Sequence, residues 1–347
     1  MDFSDAVKTT TREAIIPTVF DSVLKGNIGL LRTLGNAKPW QSGFRLDVIV
    51  KFAKSTQSKI VGVGGTYNTS RDNTRVKMQF EPQRVSIPIV LDDIETTLNE
   101  GDQQIVSLLA TEFDSVAQDL TDELGSYFYT GTGASGSSFD SILNAADDAT
   151  GFATYGTLAR STYTTLKGDY TGSVGALALS DLATSHSNIS FSGSEPTIGL
   201  TTKTLWNAYE TLLQPTVRAG YATSGFPQVT RTGVIAGRAA LGGEIGFSSL
   251  YFRGMPLVAD DKCTSGKIFL INENFFGFRG INLKGYETAN IKGDVEGPQD
   301  VPVPRGFNWS GMMRPTDMPA EVGHISYVGN FIATDPRRQS QLTAVTA

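Results

Sequence analysis

Side chains able to do chemistry are sparse in this sequence. His186, His324 and Cys263 are the only residues of their types among 347. A zinc cage of the usual Cys/His kind needs four ligands, so this inventory nearly excludes one. A lone cysteine closes no disulfide within the chain, which fits a reducing compartment. His186 lies in the polar stretch TSHSNISFSG, read as a loop, and His324 stands at the start of an apolar closing run. Neither is accompanied by a GxSxG elbow that would supply a nucleophile, so both read as structural. Cys263, in DDKCTSG, reads as a packing thiol.

The remaining motifs fare no better. Gly131-Thr-Gly133-Ala-Ser-Gly136 matches GxGxxG, but a dinucleotide site needs a strand before it and a helix opening inside it. Here the motif follows a long helical pattern, so it reads as a turn. Ser265-Gly266-Lys267 lacks the upstream glycine and following Ser/Thr of a phosphate loop. The pairs Asp92-Asp93, Asp147-Asp148 and Asp260-Asp261 lack calcium-loop spacing, and adjacent carboxylates diverge on helix or strand, so they read as solvated surface. Asn68, Asn188 and Asn308 begin Asn-x-Ser/Thr triplets that matter only on secretion from a eukaryote. No catalytic, cofactor-binding or metal-binding residue is assigned, and no enzyme is expected.

Charge is the stronger signal. The net charge is −6, with only 18% charged residues and 37 glycines, a composition suited to a turn-rich surface buried against copies or partners. Residues 43–84 hold eight basic and three acidic residues, whereas 85–159 hold thirteen acidic and no basic ones. Arg71, Arg75, Lys77 and Arg84 cluster in the basic block without interleaved aromatics, which argues against sequence-specific nucleic-acid binding. A basic segment abutting an acidic one suits contact between subunits, with Asp102, Glu112 and Asp119 on the acidic side.

The elements that must position these charges follow from periodicity. Phe44, Leu46, Val48, Val50 and Phe52 alternate on one strand, and alternation resumes at Val76, Met78 and Phe80, running on to Val85, Ile87 and Ile89. With the Gly/Asn/Ser-rich tip VGVGGTYNTSRDN between them, these make an extended hairpin. Pro82 and Pro88 place its return strand at an edge, and its apolar face predicts a partner. Ile105, Leu109, Phe113, Val116, Leu120, Leu124 and Tyr127 form one continuous stripe, predicting a helix over 102–128 about 40 Å long. Asp102 is its expected N-cap and Gly131 its stop. Beyond it we expect short helices at 139–147 and 202–213, the latter ended by Pro215, strands at 249–259 and 267–272, and a closing strand at 322–334. Residues 1–42 read as an arm lying on another surface, with an apolar piece at 14–24 interrupted by Pro17. No membrane span and no signal peptide are read.

This order of elements resembles the major capsid protein of tailed double-stranded DNA bacteriophages. The resemblance rests on SIPIVLDDIETTLNEGDQQIVSLLATEFDSVAQDLTDELGSYFYTGTG, FDSILNAADDATGFATYGTLARST, LYFRGMPLVADDKCTSGKIFLINENFFGF and VGHISYVGNFIATDPRRQSQL, taken in sequence from about residue 15 to 342. It implies an α+β, Hong Kong 97-like phage capsid fold. Its parts would be an N-terminal arm (1–42), an extended β-hairpin loop (43–87) and a peripheral domain with a long spine helix (88–150). A mainly axial α/β domain (151–310) and a return strand with the C-terminal tail (311–347) complete it. It further implies a homo-oligomer of hexamers and pentamers in an icosahedral shell around non-specifically packaged double-stranded DNA. The site is then the virion, assembled in the bacterial host cytoplasm. The short stretch before the hairpin implies a separate scaffolding protein or none, and portal and decoration proteins are further partners. Lys51, Lys54, Lys59 and Asn330 have the residue types of the Lys–Asn cross-links some relatives form, and residue type alone assigns none. An encapsulin-like nanocompartment shell of the same fold is the nearer alternative. A soluble ligand-binding or enzymatic α/β protein is the more distant one.

Overall fold

The computed structural model describes residues 26–40, 43–98, 108–134, 137–222, 250–283, 306–316 and 318–347. In chain order its elements begin with α1 (Ile28–Gly35), β1 (Lys38–Pro39), β2 (Leu46–Lys51), β3 (Arg75–Phe80), β4 (Gln83–Asp92), α2 (Asp93–Leu98) and α3 (Leu108–Thr130). Next come α4 (Ile142–Ala145), β5 (Thr154–Tyr155), β6 (Leu158–Ala159), β7 (Asp169–Thr171), β8 (Gly175–Ala176), α5 (Leu179–Ile189), β9 (Ile198–Thr201) and α6 (Lys203–Ala222). The chain finishes with β10 (Leu250–Phe252), β11 (Met255–Ala259), β12 (Ile268–Ile271), β13 (Phe276–Gly280), β14 (Phe307–Trp309), β15 (Ala320–Ala333), β16 (Ser340–Leu342) and β17 (Val345–Thr346).

Two sheets organise the molecule. In one, the fourteen-residue β15 pairs with β13 and β14 on one side and with β4 on the other. The other runs β10-β11-β9-β12-β16-β7. Strands β9 and β12 are buried along their whole length because each face of this sheet lines a different core. Phe269 and Ile271 point into the core shared with α3, while Ile268 and Leu270 point into the one that holds Leu205 and Tyr209 of α6. A strand buried on both faces reads as an unbroken apolar run, which is why KIFLIN shows no alternation.

Helix α3 lays Leu120, Leu124 and Phe128 into the first core, each with no exposed surface. Its 23 residues end at Thr130, before Gly131, and span about 34 Å. The expected N-cap Asp102, and Ile105, lie outside the described residues. Gly125 lets α1 cross α3 closely, since a Cβ there would sit 1.6 Å from the Asn27 amide nitrogen. The apolar piece at 14–24 also lies outside the described residues.

Several expectations need correction. The 249–259 segment is two strands, joined by a two-residue turn at Arg253 and Gly254, which have φ of 48° and 83°; the hairpin was hidden because a Gly at the second turn position sits inside an apolar run. The backbone of α6 continues through Pro215 to Ala222, because a proline removes one helical hydrogen bond without forbidding the helix. The 139–147 helix is a single turn, Ile142–Ala145, capped when the Ser141 hydroxyl accepts the Asn144 N–H. His186 lies within α5 rather than a loop. Its polar neighbours form the outer face of that helix, while Leu182, Ser185, His186 and Ile189 are buried.

The hairpin also differs from the single ladder expected. Strands β2 and β3 pair from Leu46–Phe80 to Lys51–Arg75. After Glu81-Pro82 the chain leaves that ladder, and β4 pairs over ten residues with β15, from Gln83–Gly329 to Asp92–Ala320. Pro88 lies within β4 opposite His324, and β15 is the only ladder partner β4 has among the described residues, so β4 is an edge strand.

Candidate assembly surfaces

The root of the hairpin is seated on its own chain. Leu46, Met78 and Phe80 are buried beneath it, and the Gln79 N–H donates to the Gly156 carbonyl at 2.9 Å. Gly156 turns between β5 and β6 at φ 53°, and a Cβ there would lie 2.7 Å from that of Met78. Phe80 meets Tyr155, and Phe52 meets Tyr163, both edge to face. The apolar face of the ladder therefore finds its partner within the subunit, whereas the sequence pattern had left that partner open.

Beyond the ladder, and on its outward face, the surface is open. Phe44, Ile49, Ile60, Val63 and Tyr67 are all exposed, Ile60 wholly so. Asp72 ties the two limbs of this segment together. It accepts hydrogen bonds from the Thr56 N–H (2.7 Å), the Thr56 and Ser55 hydroxyls (3.0 and 3.1 Å) and the Gln57 amide (2.7 Å). Those bonds, led by Gln57, hold its carboxyl below the ordinary value. Arg71 and Arg75 flank it, and with Asn73 and Thr74 they line a concavity of about 480 Å³. Its lining is two guanidiniums, the Asp72 carboxylate already engaged by Ser55, Thr56 and Gln57, and two small polar side chains.

The residues expected at subunit contacts divide into three groups. Lys77 is paired within the chain, its Nζ 3.2 Å from Asp47 on β2. Arg84 is exposed on β4, opposite Val328, and so belongs to the long sheet and not to the hairpin ladder. Glu112 and Asp119 are exposed on α3, and Asp102 lies outside the described residues. On the same helix, Asp122 is 2.6 Å from Lys262 Nζ, so part of the acidic helix is neutralised within the subunit.

The acidic pairs were expected at the surface, yet each of two contributes a buried anchor. Asp260 is 1% exposed and accepts from the Gly29 N–H (2.8 Å), the Tyr129 hydroxyl (2.8 Å) and the Lys262 N–H (2.9 Å), joining α1 and α3 to the end of β11. Asp147 accepts from the N–H groups of Ala149 (2.9 Å) and Phe152 (2.9 Å) and pairs with Arg160 at 3.1 Å, both side chains being almost wholly buried. Local spacing cannot register the Asp260 anchor, because Gly29 and Tyr129 come from distant segments, whereas the partners of Asp147 follow it closely in the chain. One sequence signal existed for the second: Arg160 is the first basic residue after the acidic block.

Asn330 belongs to a further buried group. Its Oδ1 accepts the N–H of Asp140 (2.9 Å) and Phe331 (2.9 Å), and its Nδ2 donates to the Glu81 carbonyl (3.0 Å) and Asp140 Oδ2 (2.9 Å). That amide is therefore fully engaged. Burial pushes the Asp140 carboxyl up to about 6, against the lowering effect of hydrogen bonds from Asn330 and Asn144 and of the Arg160 charge. Cys263 is buried with its thiol pushed well up by desolvation, as befits a packing residue. Burial, with the Arg253 charge, holds His186 below its ordinary value. His324 is exposed on β15.

A second exposed surface went unnoticed in the sequence. Met313, Val322 and Val90 lie side by side across the long sheet, through the Met313–Val322 bridge and the Val322–Val90 pair. Ile94 and Met318 stand at the same end, where the Asp93 N–H donates to the Pro319 carbonyl. Val90, Ile94, Met313 and Met318 are each about half exposed or more. Val90 is the one large aliphatic side chain in the outward series Arg84, Ser86, Pro88 and Val90 of β4, and that was the available signal.

No family model matches the sequence, and no curated protein matches it. Solved structures do match along the whole chain. The capsid asymmetric unit of cyanophage A-1(L) superposes with a TM-score of 0.70 at 13% identity, covering 99% of each chain. The holo-SrpI encapsulin complex from Synechococcus elongatus gives a TM-score of 0.57 at 15% identity, covering 99% of this chain and 96% of that one. The capsid of the native GTA particle gives 0.57 at 10% identity, with all of both chains covered. The fold is the α+β, Hong Kong 97-like fold of these shell subunits.

Proposed function

We propose that this chain is the major capsid protein of a tailed double-stranded DNA bacteriophage, a structural subunit without catalytic role that assembles into hexamers and pentamers of an icosahedral head. The observation that carries the reading is end-to-end similarity to a phage capsid subunit, with 99% of both chains covered. Exposed apolar residues on the hairpin, from Phe44 to Tyr67, support it, since a soluble monomer rarely leaves so many on one projection. The sparse catalytic inventory is in keeping with it. Many weak contacts repeated in a closed shell suffice for stability.

In this reading the arm is 1–42, the extended loop 43–87, the peripheral domain 88–150, the axial domain mainly 151–310 and the return segment 311–347. The packaged partner is double-stranded DNA, bound without sequence preference, and scaffolding, portal and decoration proteins complete the virion assembled in the host cytoplasm. The encapsulin similarity favours one alternative, a nanocompartment shell enclosing protein. Negative-stain microscopy of purified protein tests the shell: uniform particles tens of nanometres across are expected, and a monomer or small oligomer overturns the reading. Extraction of particles made in the native host then separates the two shells, nucleic acid against protein.

A further inference from the structure

The two limbs of the hairpin meet the body of the subunit at Arg45 and Glu81, and Glu81 grips both sides of that boundary. Its carboxylate accepts from Arg45 Nε at 2.8 Å, tying limb to limb, and its carbonyl accepts from Asn330 Nδ2 at 3.0 Å, tying the root to β15. The same Asn330 Nδ2 donates to Asp140 Oδ2 at 2.9 Å. One amide group therefore separates the hairpin root from the Asp140 carboxyl, which is 7% exposed. The chain also changes sheets here, from the β2–β3 ladder ending at Phe80 to the β4–β15 ladder beginning at Gln83. Glu81 and Pro82 lie in neither ladder, and a short junction of that kind is where a hinge absorbs its rotation.

Every element packed around Asp140 presents a group to it. Asn144 of α4 donates to its Oδ1 at 3.0 Å. Arg160, after β6, attracts it but is already paired with Asp147. Tyr155 of β5 lies within electrostatic reach, its hydroxyl accepting the Ala333 N–H at 2.8 Å, and Arg279 of β13 stands across the ladder from Asn330. Burial outweighs the two amide bonds and the Arg160 charge, so the neutral carboxyl is favoured while the root is seated.

We propose that the Glu81–Asn330–Asp140 chain is a proton-controlled latch on the hairpin root, closed while Asp140 is neutral and loosened when it ionises. Lifting Glu81 from Asn330 admits water to the carboxyl, and an ionised group gains far more from hydration than a neutral one. Asp140 keeps its proton up to about pH 6 in the seated state, against the ordinary 3.8 once hydrated. Seating is therefore favoured at low pH and weakened as pH rises through about 6. The latch lies wholly within one subunit, so its fate is independent of the shell reading.

Hydrogen exchange in the full-length, unassembled subunit tests the latch at the Gln79 N–H, which the seated root holds on the Gly156 carbonyl. The Leu124 N–H, in the buried stretch of α3, reads unfolding of the whole subunit. Between pH 4.5 and 7.5, protection at Gln79, corrected for the intrinsic exchange rate, should fall by up to about 25-fold and stay below that of Leu124. In Asp140→Asn the fall should disappear. A flat Gln79 profile in the parent chain overturns the proposal whether or not the variant folds. Equal protection of Gln79 and Leu124 at every pH also overturns it, since the root then opens only with the whole subunit. A fall that persists in Asp140→Asn overturns it by removing Asp140 as the sensor.

Discussion

A guanidinium and a carboxylate withdrawn from water together lose hydration that only their mutual contacts restore, and Arg160 with Asp147 is the clearest case in this chain. Arg160→Ala would leave the Asp147 charge buried without its counter-ion, so we expect a loss of about 3–5 kcal/mol in urea unfolding of the unassembled subunit. Asp140 behaves differently because burial raises its folded-state value to about 6, above the ordinary 3.8. The folded protein thus holds this proton more tightly than the unfolded chain. The resulting stability is complete below about pH 4 and is lost as pH rises through about 6, amounting to about 3 kcal/mol at most. In Asp140→Asn that dependence should vanish: the difference in unfolding free energy between the variant and the parent chain should change between pH 4.5 and 7.5, in favour of the variant at the higher pH. Parallel pH profiles would show that Asp140 does not titrate there. Asn144 Nδ2 donates to Asp140 Oδ1 at 3.0 Å, so the extra amide donor requires the Asn144 amide to turn over and present its Oδ1, which has no partner among the described residues.

Elements differ in what covers them, and that decides which substitutions act on the subunit and which on its assembly. Leu124 of α3 is wholly buried, so Leu124→Ala should cost about 2–5 kcal/mol in subunit stability. Ile49, on the outward face of the hairpin, is 64% exposed, so Ile49→Ala should change subunit stability by no more than about 0.5 kcal/mol. Chemical denaturation of both variants checks the contrast, and equal losses would mean that the hairpin face is covered within the subunit. The periodicity of both elements was legible. Alternation identified the inward residues Leu46, Val48 and Val50, and the helical stripe identified Leu120 and Leu124. What alternation could not say is that Gly156 covers the hairpin root, because that contact joins residues about eighty positions apart.

For the whole molecule, the charge asymmetry leads to a salt prediction that the structure narrows. Lys77 is already paired with Asp47, leaving Arg71 and Arg75 as the cations of the original cluster that border the open tip. Raising ionic strength should weaken contacts between subunits, since exposed charges are screened beyond about 10 Å at 0.1 M salt. Reversal of Arg71 and Arg75 to glutamate should mimic that loss at low salt in sedimentation, and unchanged assembly would remove these residues from the interface. The long helix, the hairpin and the scarcity of catalytic groups were all determined by the amino-acid sequence itself, because period and composition are local properties, and the fold class was legible only through the resemblance carried by the order of the elements. Which polar residues are buried was decided only by tertiary structure. Asp260 and His186 look alike on paper to residues in solvent, and each meets partners from another part of the chain, Gly29 and Tyr129 for the first and Phe252 for the second, while Asp147 is held by its own loop and Arg160. The same holds for the outer surface. Val90, Ile94 and Met313 form one patch only after β4 and β15 have paired, because side-by-side placement of residues more than two hundred positions apart is a property of the sheet and of no segment within it.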